Sequence, residues 1–131
     1  MTRSYSELQT IFSAQATTGT GDEINVQDYR NIMLQLGTAS SANLTIKIQG
    51  SFSETKPDFS AAATAANHWA YVAVYDLADS TLIAGATGIA PAGTDTFRNL
   101  MVNTDGLRWV CATVTARAAG SVTLKAMGLS D

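Results

Sequence analysis

His68 is the single histidine of this 131-residue chain, and it stands beside Trp69. Acid–base or nucleophilic catalysis would need a nucleophile and an orienting carboxylate within its reach. No G-x-S-x-G elbow accompanies it, so His68 reads as a surface or packing residue. Cys111, the single cysteine, has neither a second thiol nor zinc-ligand spacing around it, and reads as a small buried hydrophobe. Asp76, Asp79 and Asp95 are the loop carboxylates that a calcium site would use. EF-hand spacing is missing, and turn-forming aspartate is the alternative. The glycine-rich stretch 85–93 lacks the lysine and helix of a phosphate-binding loop, which makes it a flexible connection. Asn43-Leu44-Thr45 fits a glycosylation sequon, but nothing indicates secretion. The chain is therefore expected to be no enzyme and to hold no cofactor or metal.

One binding chemistry does have residues to carry it. Trp69, Tyr71, Tyr75 and Trp109 are aromatic rings of the kind that stack on sugar faces beside Asp, Asn and Arg hydrogen-bonders. A carbohydrate-binding module is the alternative function that they suggest.

Composition bounds what must position these residues. A chain of 131 residues suffices for one domain burying about 65–70% of its unfolded surface without staples. Hydrophobic residues make up 46% and charged residues 15%, which describes an ordered chain whose lightly charged surface either is covered by other protein or belongs to a weakly charged monomer. The net charge is −3 and the eight Lys and Arg are scattered, so no basic stripe exists for nucleic acid. A lone cysteine excludes an intrachain disulfide and fits synthesis in a reducing cytoplasm. The N-terminus has no apolar signal-like region, and no stretch approaches the ~20 apolar residues of a membrane span.

Short β-branched and aromatic runs alternate with Gly, Asn, Asp, Ser and Ala clusters, which predicts strands over 9–15, 22–26, 30–36, 44–52, 70–77, 82–84, 96–103, 107–117 and 121–127. Regular short strands favour a sandwich or barrel. The stretch 57–66, rich in alanine after Pro57, is either a helical turn or a loop. Residues 1–10 form an N-terminal arm, and 11–131 a single β-sandwich domain.

Sliding the chain on itself by 78 positions aligns 24–51 with 102–129 without a gap, matching Asn25 to Asn103, Arg30 to Arg108, Thr45 to Thr123, Lys47 to Lys125 and Gly50 to Gly128. Each copy reads as an apolar–polar strand, a small-residue turn and a return strand. Two such hairpins would bury their apolar faces on each other. The copies differ outward. The first shows Asn31, Met33 and Gln35 where the second has Trp109, Cys111 and Thr113. Leu107, Trp109, Cys111, Met127 and Leu129 would then form one cluster across the second hairpin. That cluster is either a partner interface or a surface covered by the chain's own segment.

The two hairpin segments, with their "NVQDYRNIMLQL" strand and "VTLKA" return strand, resemble small virion proteins of tailed bacteriophages. The stretches "PDFSAAATAANHWAYVAVYDL" and "TGIAPAGTDTFRNLMVN" share that look, so the resemblance spans 24–128. It implies a capsid decoration (cement) protein: an all-β, antiparallel, jelly-roll-like β-sandwich that binds the major capsid protein of a phage head. It further implies a homotrimer on the capsid exterior, with no catalytic residues, nucleic acid or membrane involved. Asp28-Tyr29 departs from the glycine that often precedes the aromatic in that group.

Overall fold

Alternating apolar and polar residues put one face of a strand in the core, and here that alternation runs much further than a hairpin arm would need. The computed structural model describes residues 4–130, with side chains from Ser6 onward. These residues form ten strands and no helix: β1 (Ser4–Tyr5), β2 (Gln9–Gln15), β3 (Gly19–Thr20), β4 (Ile24–Asn25), β5 (Asn31–Ser51), β6 (Ala70–Val72), β7 (Val74–Asp76), β8 (Thr81–Ile83), β9 (Phe97–Asn103) and β10 (Trp109–Ser130). All are antiparallel and hydrogen-bonded into one sheet along the order β1-β10-β5-β9-β7-β8, with β2, β3 and β4 also on β10 and β6 on β5. The expected all-β antiparallel fold is present.

The two hairpins are not. Each becomes a single strand, β5 or β10, that runs through its small-residue stretch, and the two strands pair with each other along their whole length, from Trp109↔Ser51 to Leu129↔Asn31. The register breaks only in the middle, between Val114 and Ser121. There Ser40 and Ser41 take φ of 64° and 52°, and Gly120 takes 79°. Small residues make this possible, because a side chain on Gly120 would put its Cβ 2.5 Å from the Ala42 Cα. The stretches read as turns are therefore the place where two long strands pass each other and bend.

The bend closes the core. Ile32, Leu34 and Leu36 on one side of it and Leu44, Ile46 and Ile48 on the other are all buried, and all belong to one apolar cluster with Val110, Ala112, Leu124 and Ala126. There is no helix among the described residues, and the buried side chains from both halves of the sheet form one core cluster. Burying each such aliphatic side chain contributes about 1.5–3 kcal/mol.

The repeat is visible in the backbone. Exchanging the two copies turns Trp109↔Ser51 into Asn31↔Leu129, and Val114↔Ile46 into Leu36↔Leu124, all pairs of the same ladder. The flanking bonds repeat as well. Val26 N donates to Arg108 O at 2.8 Å, and its equivalent Thr104 N donates to Arg30 O at 2.8 Å. Two of the repeated identities gain a physical reason. Asn25 and Asn103 each accept a bond from the backbone N two residues on, an Asx turn. A Cβ on Gly50 would meet Leu107 at 3.1 Å, and one on Gly128 would meet the Tyr29 ring at 2.5 Å, Tyr29 and Leu107 being equivalent positions. The halves are related by an approximate two-fold.

Residues 57–66 form an irregular loop, the second of the two alternatives read from the sequence. Asn67 and Asp58 explain why. Asn67 accepts from Asp58 N at 2.7 Å and donates to Asp58 O and Ala62 O, while Asp58 accepts from Ser60 N. Such side-chain bonds compete with helical ones.

Candidate interaction surfaces

The chemistry-bearing residues are spent on structure. His68 is exposed and serves through its carbonyl, which accepts the Ser51 hydroxyl at 2.6 Å. Asp76 and Asp79 form turns, accepting from Ala78 N and from Thr81 N and Oγ1, while Asp95 accepts from Ala42 N across the fold. Among the described residues no three His, Cys, Asp or Glu side chains gather as metal ligands would. The glycine-rich stretch 85–93 is not a free loop. Ile46 and Ile89 exchange backbone bonds of 2.8 Å in both directions, and Ile89 is buried.

Of the five residues read as one interface, the fold does not bring all together. Trp109 pairs with Asn25 and Ser51 near the start of β10, whereas Met127 pairs with Met33 near its end. A hairpin would have placed them side by side; one continuous strand separates them. Leu107 and Cys111 are buried, while Trp109, Met127 and Leu129 are half-buried.

What covers the front of β10 is the chain itself. Cys111 Sγ donates to Gly21 O at 3.3 Å and Thr113 Oγ1 to Gly19 O at 3.1 Å. Gln49, opposite Cys111, donates to Phe59 O at 2.9 Å, and Trp109 Nε1 donates to Ser53 O at 3.1 Å. The covering loop, residues 52–69, is further tied down by Lys56 to Glu23, a bond that holds the Glu23 carboxyl below the usual carboxylate range. Of the two readings of that cluster, cover by the chain's own segments therefore holds at Cys111. The cover comes from 19–21 and 52–69.

Burial pushes the Cys111 thiol up to about 12. Two outcomes are expected. The native protein resists thiol reagents at pH 8 and reacts only when its cover opens or the chain unfolds. Because the thiol's folded pKa lies above its unfolded value, its contribution to stability is complete below the unfolded pKa and is lost as pH rises toward 12. A Cys111→Ala variant should lose that alkaline component in urea titrations run at several pH values.

Two of the four candidate sugar-stacking rings meet. Trp69 and Tyr71 lie 5.2 Å apart at 71°, with Phe59 6.4 Å behind Trp69 and Lys47 Nζ 5.1 Å over Tyr71. Trp69 Nε1 is already donated to Ala61 O at 3.0 Å. Rings set edge to face offer no flat platform for a pyranose. Tyr75 is elsewhere, opposite Leu82 and Met101.

A surface that periodicity alone did not reveal lies on the outer side of the other half. The register aligns Leu82, Tyr75, Met101, Met33 and Met127 as successive neighbours across β8, β7, β9, β5 and β10. Residues directly opposite on paired strands share a face. Leu8 and Leu77, 52% and 49% exposed, flank a groove of about 340 Å³ over Met33 and Met127. Of this row the sequence places Met127 in an interface, Met33 on an outward face and Tyr75 among the candidate rings, but it does not join them. They sit on strands far apart in sequence, and only the pairing order joins them.

Two solved structures share this fold. The SPBc2 prophage-derived protein YomS aligns at a TM-score of 0.73 over 99% of this chain and 96% of that one, with 15% identity. The PBSX exported protein XepA aligns at 0.71 over 99% of this chain, with 10% identity, and the chain spans 39% of its length. At such identities the likeness is one of fold. No protein-family model and no curated protein matches the sequence.

Proposed function

We propose that this chain is a non-enzymatic structural protein of a phage virion, a capsid decoration protein that binds the head lattice as an oligomer and stabilises it. The observation that carries the reading is the division of one stiff sheet into a half that covers itself and a half that leaves an apolar face outward. Large exposed apolar faces mark contact with other protein. The prophage origin of the SPBc2 protein with this fold and the sequence resemblance to phage virion proteins support the same reading. The homotrimer, the major capsid protein as partner and the capsid exterior as location belong to this proposal.

The test is immunogold electron microscopy of particles from the encoding phage, with an antibody against the folded chain. Gold on the heads is expected. Gold on tails, or protein recovered only free of particles, overturns the decoration role. A glycan array separates the sugar-binding alternative, since a decoration protein should give no selective hit.

A further inference from the structure

The half-buried methionine row, continued by exposed Leu82, has a counterpart that tells what it lacks. Exchanging the two copies carries Met101, Met33 and Met127 onto Glu23, Cys111 and Gln49, and Cys111 and Gln49 are paired just as Met33 and Met127 are. In that half Cys111 is 0% and Gln49 1% exposed, because residues 52–69 and 19–21 lie over them. In the methionine half, Leu82 is 70% exposed and Phe97, on the same face of β9, is 83% exposed. The same architectural position is sealed once by the chain and left open once.

We propose that a second copy of this chain covers the methionine row, docking with its loop-covered half. Charge selects that occupant. Among the odd-numbered residues of 31–37, 97–103 and 121–129, which form the methionine-bearing middle of the open face, Lys125 is the one charged side chain. The rest are thioethers, rings, amides, hydroxyls and aliphatic groups, with no carboxylate. The copy carries a net charge of −3, and around its covered half the four acids Asp22, Glu23, Glu54 and Asp58 outnumber the two lysines Lys47 and Lys56, of which Lys56 is paired with Glu23. An acidic surface with an apolar cover thus meets a neutral-to-basic apolar one. Methionine suits the role, since its unbranched, polarisable side chain adapts to a partner surface. A contact between two different surfaces is heterologous, and repeated around an axis it closes into a ring. The inference concerns contact between copies, and it holds whether or not the protein binds a capsid.

Light scattering on the full chain across the micromolar range, with Leu82→Lys and Met33→Lys beside wild type, tests it. Wild type is expected to be an oligomer, and both variants should associate more weakly by on the order of tenfold or more. Leu82 is exposed, so its replacement leaves the fold intact, and urea midpoints check this for both. Lys125→Glu should also weaken association, most strongly at low salt. A monomeric wild type overturns the proposal, as does an oligomer that survives Leu82→Lys and Lys125→Glu unchanged. An oligomer that breaks as expected but never labels phage heads overturns the decoration role and leaves this contact standing.

Discussion

Gly120→Val is expected to destabilise the protein by about 2–6 kcal/mol, combining strained backbone with overpacking. The residue sits at φ 79°, which a β-branched side chain does not tolerate. A Cβ there would also lie 2.5 Å from Ala42 Cα and 2.6 Å from Ala39 O, contacts with backbone that no side-chain rotation relieves. The glycine lies where the β5–β10 register breaks, so the strain falls on the bend between the two halves of the sheet. Against a typical total of about 5–15 kcal/mol, the loss takes a large part of the stability. Urea denaturation reads it directly. Ala118→Val, two residues away and exposed, is the control and should stay within about 0.5 kcal/mol of wild type. If Gly120→Val behaved like the control, the bend would be set by something other than this glycine.

The same bend shows how far the sequence could be read. The even-numbered core positions, from Ile32 to Ile48 and from Val110 to Ala126, follow from period-2 alternation, and the offset between the copies is the offset that relates the two halves in space. What alternation cannot tell is which strand lies next to which. A strand, a small-residue stretch and a second strand of matching parity describe a hairpin and a bent continuous strand equally well. In both, the same side chains point inward. Parity survived the misreading, and the neighbours did not.

That distinction decided the interaction surfaces. Reading a hairpin placed Met127 beside Trp109 and Cys111, whereas the real partner of Met127 is Met33, and that of Cys111 is Gln49. Cys111 was legible as a buried hydrophobe because its environment is local to β10. The methionine row was not legible, because Leu82, Tyr75, Met101, Met33 and Met127 come from five strands and become neighbours only through long-range pairing. The cover over Cys111 was equally hidden. It is an irregular segment, residues 52–69, that carries no periodicity and is held by side-chain bonds such as Gln49 to Phe59 O.

Phe59→Ala addresses that cover, and its effect should be large but local. Phe59 is 5% exposed, and removing a buried phenylalanine ring typically costs about 3–5 kcal/mol. Residues 52–69 contribute no pairing to the sheet, so most of the loss should appear as loop opening and less as unfolding of β5 and β10. Cys111 reports it. With the loop loosened, labelling of the thiol under native conditions should rise by about two orders of magnitude, since each 1.36 kcal/mol is tenfold. The urea midpoint of the sheet should move proportionately less. Met33→Ala, at the position of the uncovered half that is equivalent to Cys111, has no cover to loosen and should leave Cys111 labelling unchanged. If labelling in Phe59→Ala rose only in step with global unfolding, loop and sheet would be one cooperative unit. The covered half could not then be regarded as an open face that the chain has sealed with a separable segment. Selective labelling would show instead that both halves present the same kind of surface, one closed from within and the other left for a partner to close.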